Sequence, residues 1–249
     1  MSGIGAVGLV LLASLASMAV YALGGRRKDK DATRKGSQFL MGAGDFLVHW
    51  FMWVLGPVDR AALRLGLTPD FFNFAGLGLG VVAGLLIAGG ELIAAGWVIA
   101  AGGVCDILDG RLARALRVDS DYGKFIDSTF DRFVEVFVFL GFTYHLRGFA
   151  LGPAMATAAI CGSLLVSYTR ARGESVGVLC KEGLMQRAER LVLTCLVCLT
   201  DGFITRRAGW PPGTAALWVV SLIAVGTFVT AAHRTLWIAT RLRERRNPD

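Results

Sequence analysis

Seven apolar runs, each close to the length of a bilayer crossing, recur along this sequence at roughly 3–24, 71–90, 92–115, 123–146, 152–169, 189–205 and 213–238. A hydrocarbon core ~30 Å thick takes about 20 apolar residues of helix to cross. Inside lipid each backbone N–H and C=O needs a partner within the protein, which leaves helices or closed barrels. Runs this long, without strict alternation, predict helices. The expected fold is therefore all-α and membrane-embedded, with one compact membrane domain and no separate soluble domain. A hydrophobic content of 54% and a mean hydropathy of +0.56 exclude a disordered chain.

The basic residues sort by side. Of the 26 Lys and Arg, 22 fall in alternate loops with the run ends that flank them and at the C-terminal end, three (Arg147, Arg206 and Arg207) fall in the other loops, and Arg132 lies deeper inside a run. By the positive-inside rule the N-terminus is expected outside and the C-terminus in the cytoplasm. The net charge of +7 then reads as orientation and contact with anionic lipid. No aromatic-interleaved basic patch appears, so no nucleic-acid partner is expected. The first run lacks a charged segment before it and is followed by "GGRRKDK". That order predicts an uncleaved anchor, residues 1–24, rather than a cleaved signal peptide.

Between the runs, 25–44 reads as a basic linker and 241–249 as a basic cytoplasmic tail. The segment 45–66 mixes Trp50, Phe51 and Trp53 with Asp59, Arg60 and Arg64, which predicts an amphipathic element on the membrane interface, broken at Pro57. Gly76, Gly80 and Gly84 recur every fourth residue and predict a close-packing helix face. A dinucleotide fingerprint would need a strand before it. Cys195 and Cys198 are expected to be small packing residues, and His49, His145 and His233 form no cluster.

One stretch does not suit a passive bundle. "CDILDGRLARALRVDSDYGKFIDSTFDRF", from Cys105 to Phe133, carries Asp106, Asp109, Asp119, Asp121, Asp127 and Asp131. Asp106 and Asp109 are three apart, and Asp127 and Asp131 four apart, so each pair shares a helix face. Gly110 and Ala113 are too small to obstruct a ligand. Asp119 or Ser120 is a candidate N-cap for the second helix, and two antiparallel helices on a short turn can bring the pairs together. Two like charges ~4 Å apart repel by roughly 4 kcal/mol at an effective dielectric of 20, and Arg114 offsets only one of them. Two divalent cations would offset the rest, and all-oxygen donors suit Mg²⁺ or Mn²⁺. Paired metals in turn suit phosphoryl transfer, because they clamp the attacking and leaving oxygens.

The order Asp106, Asp109, Gly110, Ala113, Arg114, Gly123, Asp127, Asp131 reads D-x2-D-G-x2-A-R-x8-G-x3-D-x3-D. This resembles the signature of the CDP-alcohol phosphotransferase family, over about 66–240. The resemblance implies a six-helix transmembrane bundle of that type, here with an extra N-terminal transmembrane helix and an interfacial amphipathic helix, the membrane domain running 45–240. It implies that Asp106, Asp109, Asp127 and Asp131 hold the two metals and that Asp131 is also the general base. It implies that Gly110, Ala113, Arg114 and Gly123 line the CDP-lipid site, joined by Thr68 and Asn73 of "LTPDFFN". Family members often have Asn where Asp70 stands.

A second basic constellation comprises Arg170, Arg172, Lys181, Arg187 and Arg190. Arginines gathered at a membrane edge can fork onto a phosphate, and the alternative is orientation plus ion pairs with Glu174, Glu182 and Glu189. "SYTRARGE" and "GLMQRAERL" look like segments of the family's phosphatidylinositol phosphate and archaetidylinositol phosphate synthases, although Gly173 and Gln186 depart from that branch. The expected activity moves a phosphatidyl-type group from a CDP-lipid such as CDP-diacylglycerol to inositol phosphate, releasing CMP, in phospholipid biosynthesis. Glycerol 3-phosphate is the alternative acceptor, and a cation channel or transporter with an aspartate ion site is the alternative of another class. The enzyme is expected in the plasma (inner) membrane, its site facing the cytoplasm, and close helix packing together with the family resemblance points to a homodimer.

Overall fold

The structure, a computed structural model, describes residues 3–24, 45–118, 120–180 and 182–246. The expected linker 25–44, together with Asp119 and Lys181, lies outside the described residues. Among the described residues the chain is helical with no strand. The helices are α1 (Gly3–Leu23), α2 (Asp45–Arg64), α3 (Pro69–Ala88), α4 (Leu92–Leu116), α5 (Asp121–His145), α6 (Gly152–Ser175), α7 (Arg187–Ala208) and α8 (Thr214–Arg246). A 3₁₀ turn, Leu146–Gly148, follows α5.

Each expected run is a helix, but not each is a span by composition. Pro69–Ala88, Leu92–Leu116 and Thr214–Arg245 are long and apolar enough to cross a membrane, and Leu12–Leu23 is a shorter apolar segment. The other expected spans differ for a physical reason. Helices α5 and α7 carry several charges within one membrane length, and α6 is diluted by Ala, Gly, Ser and Thr.

Most of these helices stop in the same way. After α2, Gly66 takes φ 67°, its N–H donates to Leu63 O (3.2 Å), and the Leu67 N–H donates to Ala62 O (3.0 Å). This is the Schellman closure, which satisfies the last carbonyls and needs a left-handed residue. Gly90 and Gly177 close α3 and α6 by the same pair of bonds. After α4 the left-handed position is held instead by Arg117, at φ 57°. A Cβ makes that conformation costly, by roughly 1–2 kcal/mol.

The expected break at Pro57 is not there, since α2 runs through it. The residue before a proline is pushed out of helical geometry by a clash involving its Cβ. That residue is Gly56, which has none.

The chain divides into two compact units, with each boundary falling inside a helix. The first comprises residues up to Phe74 and Val104–Ile126. Here α1 packs on α2. Tyr21 is buried against Phe46 and Trp53, ring centroids 5.7 Å away in both cases, and Trp50 Nε1 donates to Ser17 Oγ at 3.0 Å. A small core of Ala62, Phe72, Leu108 and Leu112 joins α2, α3 and the C-terminal half of α4.

The second unit, Ala75–Gly103 and Asp127–Asp249, holds the main core, built on Ile87, Phe139, Phe142, Leu146, Val220 and Ile223. Its helices approach closely through glycine. A Cβ on Gly80 would come within 2.7 Å of Val134, and one on Gly84 would strike the Phe137 backbone, so these two members of the expected glycine face pack as anticipated. Gly96 accepts Cys198 and Leu199 in the same way, and Cys198 is fully buried, as expected for a packing residue. Asp201 is buried in α7. Its Oδ2 accepts the Gly213 N–H (3.0 Å) and its Oδ1 the Ala216 N–H (2.9 Å), so it caps the start of α8.

Candidate active site

The acid-rich stretch occupies the end of α4 and the start of α5. In the first unit, Asp106 and Asp109 stand one turn apart on α4, and Asp109 is buried. Gly110 leaves room for the Arg114 guanidinium, whose Nη1 would lie 3.2 Å from a Cβ at that position. A side chain at 110 would therefore crowd the cation next to the acids. Ser120 is the N-cap of α5, its Oγ accepting the Gly123 N–H at 3.1 Å, as one of the two expected caps. Thr68 caps α3 through the Phe71 N–H (3.3 Å), and Asn73 is buried one turn on, with Nδ2 3.4 Å from Pro69 O. Of the residues expected around a nucleotide, Thr68, Asn73 and Gly123 thus lie at helix starts, whereas Gly110, Ala113 and Arg114 lie toward the end of α4.

Behind the small core, Arg111 Nε meets Asp59 Oδ2 at 2.6 Å, with both side chains largely buried. Arg111 Nη1 lies 3.1 Å from Met52 Sδ. These contacts tie α2 to α4 next to the acidic motif.

In the second unit, Asp127, Asp131 and Glu135 follow at four-residue intervals along α5. Asp131 forms an ion pair with Arg187, and Glu135 pairs with Arg190 (2.6 Å). Arg190 is buried, and its Nη1 also donates to Met185 O at 3.0 Å. Arg187 and Arg190 thus stand one turn apart on α7 and pair with acids one turn apart on α5. Arg170 pairs with Glu174 (3.0 Å) at an exposed position, and Arg172 Nη1 lies 3.4 Å from Ser175 Oγ. The link from Asp131 to Arg187 joins the two constellations that the sequence presented separately. Glu135 was not singled out, although its four-residue spacing from Asp131 was the available signal. Arg234 belongs, by sequence alone, to the basic C-terminal end. It is buried, donating to Glu182 O (2.8 Å) and Val166 O (3.0 Å), and so holds the loop before α7 against α6 and α8.

Asp106 and Asp109 on α4, and Asp127 on α5, offer carboxylates of the kind that hold a metal ion. The donor set is all carboxylate oxygen. That fits a hard divalent cation such as Mg²⁺ or Mn²⁺ and does not fit a thiolate- or imidazole-preferring metal.

The chain is similar to proteins of one known family. The CDP-alcohol phosphatidyltransferase family profile matches residues 67–210, which includes the whole acidic motif and α7. A phosphatidylinositol phosphate synthase of Streptomyces avermitilis is 34% identical over 197 residues, covering 76% of this chain and 79% of that protein. An archaetidylinositol phosphate synthase of Methanothermobacter thermautotrophicus is 32% identical over 186 residues, covering 75% of this chain and 90% of that protein. Among solved structures, Mycobacterium tuberculosis phosphatidylinositol phosphate synthase with CDP-DAG bound superposes with a TM-score of 0.65 at 29% identity, covering 73% of this chain and 92% of that one. The same enzyme in complex with manganese and citrate gives a TM-score of 0.65 at 28% identity, covering 74% of this chain and 88% of that one.

Proposed function

Because the chain belongs to the CDP-alcohol phosphatidyltransferase family, and is thus a membrane transferase of phospholipid biosynthesis, we propose that it moves the phosphatidyl group of a CDP-diacylglycerol-type lipid onto inositol phosphate. CMP is the leaving group. The observation that carries a phosphorylated alcohol as the acceptor class is the ion pair between Asp131 and Arg187. It sets a carboxylate able to take a hydroxyl proton beside a guanidinium able to hold a phosphate. An acceptor carrying both groups would exchange into that pair. The similarity to two inositol phosphate-linked synthases favours inositol phosphate over glycerol 3-phosphate.

In this reading Asp106, Asp109, Asp127 and Asp131 hold two divalent cations. When bound, these supply charge neutralisation on the diphosphate and on the transferring phosphoryl group. Gly110, Ala113, Arg114 and Gly123, with Thr68 and Asn73, receive the cytidine diphosphate. Asp131 takes the proton from the acceptor hydroxyl as it attacks the lipid-side phosphorus. Arg187 is the first ligand of the acceptor phosphate, and Arg190 is held in position by Glu135. Arg170, Arg172 and Lys181 are assigned to the acceptor phosphate as well. The site faces the cytoplasmic side of the inner membrane, with the N-terminus out, the C-terminus in and residues 45–240 as the catalytic domain, and the enzyme works as a homodimer.

The test is CMP release by the purified protein with CDP-diacylglycerol, Mg²⁺ or Mn²⁺, and inositol phosphate or glycerol 3-phosphate in turn. Inositol phosphate should support turnover at least ten-fold faster. Equal rates would reject the acceptor assignment, and ion flux without CMP release would reject the enzyme.

A further inference from the structure

The segment matched by the family profile begins at residue 67, after α2. Yet the first unit couples α2 to the acidic motif more closely than packing on a membrane surface requires. Asp59 and Arg111 form a 2.6 Å ion pair whose side chains are only 13% and 15% exposed. Arg111 is flanked by Leu108 and Leu112, which share a core with Ala62 of α2 and Phe72 of α3. Its second contact, to Met52 Sδ, also comes from α2.

The position of Arg111 along α4 gives this coupling its meaning. At ~3.6 residues per turn, Arg111 lies roughly 200° around the helix from Asp109 and about 140° from Asp106. The ion pair therefore grips the rear of the helix whose front carries the metal-binding acids. A helix held only by apolar contacts can rotate by small amounts at little cost. A short, buried, charge-assisted bond resists that rotation, because turning the helix strands a charge away from its partner.

We propose that α2 is a clamp on the metal site, with Asp59 as a positioning residue that acts through Arg111 to set the rotation of α4 and so the aim of Asp106 and Asp109. The proposal rests on the reading that those aspartates bind a divalent cation. It assigns a part in catalysis to a helix outside the family-matched segment. It also joins the membrane interface to metal affinity, since α2 carries Trp50, Phe51 and Trp53 on the same helix as Asp59.

Mn²⁺ binding to the purified full-length protein in nanodiscs, followed by electron paramagnetic resonance, tests this without relying on turnover. Asp106→Asn reports on the underlying reading and should abolish high-affinity Mn²⁺ binding. Asp59→Asn should raise the Mn²⁺ dissociation constant at least ten-fold, while Asp59→Glu, which keeps the charge, should stay within about three-fold of wild type. Should Asp59→Asn not fold, Arg111→Lys keeps the charge and loses the fork, and should weaken Mn²⁺ three- to ten-fold. Wild-type Mn²⁺ affinity in Asp59→Asn or Arg111→Lys, beside a dead Asp106→Asn, overturns the clamp and leaves the metal reading standing. Wild-type affinity in Asp106→Asn overturns both.

Discussion

Two regions of this molecule place aspartates in apolar helices, and they treat them in opposite ways. At the junction of α7 and α8, Asp201 is buried and both its oxygens are taken by backbone N–H groups at the start of the next helix. The chain closes that charge with its own backbone. Along the end of α4 and the start of α5, acids follow further acids at helical spacing, a donor set that suits a metal. An aspartate in a membrane helix is thus no functional signal by itself. Its partners decide, and a set of like charges calls for a cation that a single capped charge does not need.

Substitution separates the two treatments. The largest effect belongs to the metal-side acids. Asp127→Asn or Asp131→Asn should lower CMP release by about a thousand-fold or more, about 4 kcal/mol of barrier, with the melting temperature held. Loss of stability without loss of turnover would erase the contrast. Next comes Glu135→Ala, which lies on the motif helix yet serves an ion pair. It leaves the Arg190 guanidinium buried without its carboxylate and should cost about 3–5 kcal/mol of stability. Asp201→Ala leaves two buried N–H groups without an acceptor. It should cost about 2–4 kcal/mol in denaturant titration and leave the divalent-ion requirement unchanged. The smallest change is at the exposed Arg170–Glu174 pair, where Glu174→Gln should alter stability by less than about 0.5 kcal/mol.

Much of this was legible before the structure. Helix identity follows from run length, the Ser120 cap from its place before α5, and the packing of Gly80 and Gly84 from their spacing. The acidic motif could be read because its parts lie within two consecutive helices. What sequence could not supply are pairings that only the folded chain creates. Glu135 and Arg190 are 55 residues apart. The cap that Asp201 gives to α8 runs forward by 12 and 15 residues, past the range of a local capping pattern. The break expected at Pro57 failed because the preceding residue, Gly56, relieves the steric conflict that the rule assumes. Among the described residues, three of the expected spans, α5, α6 and α7, are helices that fall short in apolar length. In α5 and α7 the same charges that make the site lower the apolar character, so function and hydropathy compete in one stretch of sequence.

The 33 residues of α8 make a rod about 50 Å long at ~1.5 Å per residue. A hydrocarbon layer is only ~30 Å deep, and a typical tilt of about 20° shortens the rod by only a few ångströms. Some three turns must therefore stand clear of the oil as a rigid post. The arginines at 241, 243, 245 and 246 crown it, so this cationic cluster keeps a fixed height above the bilayer where a loose tail would wander.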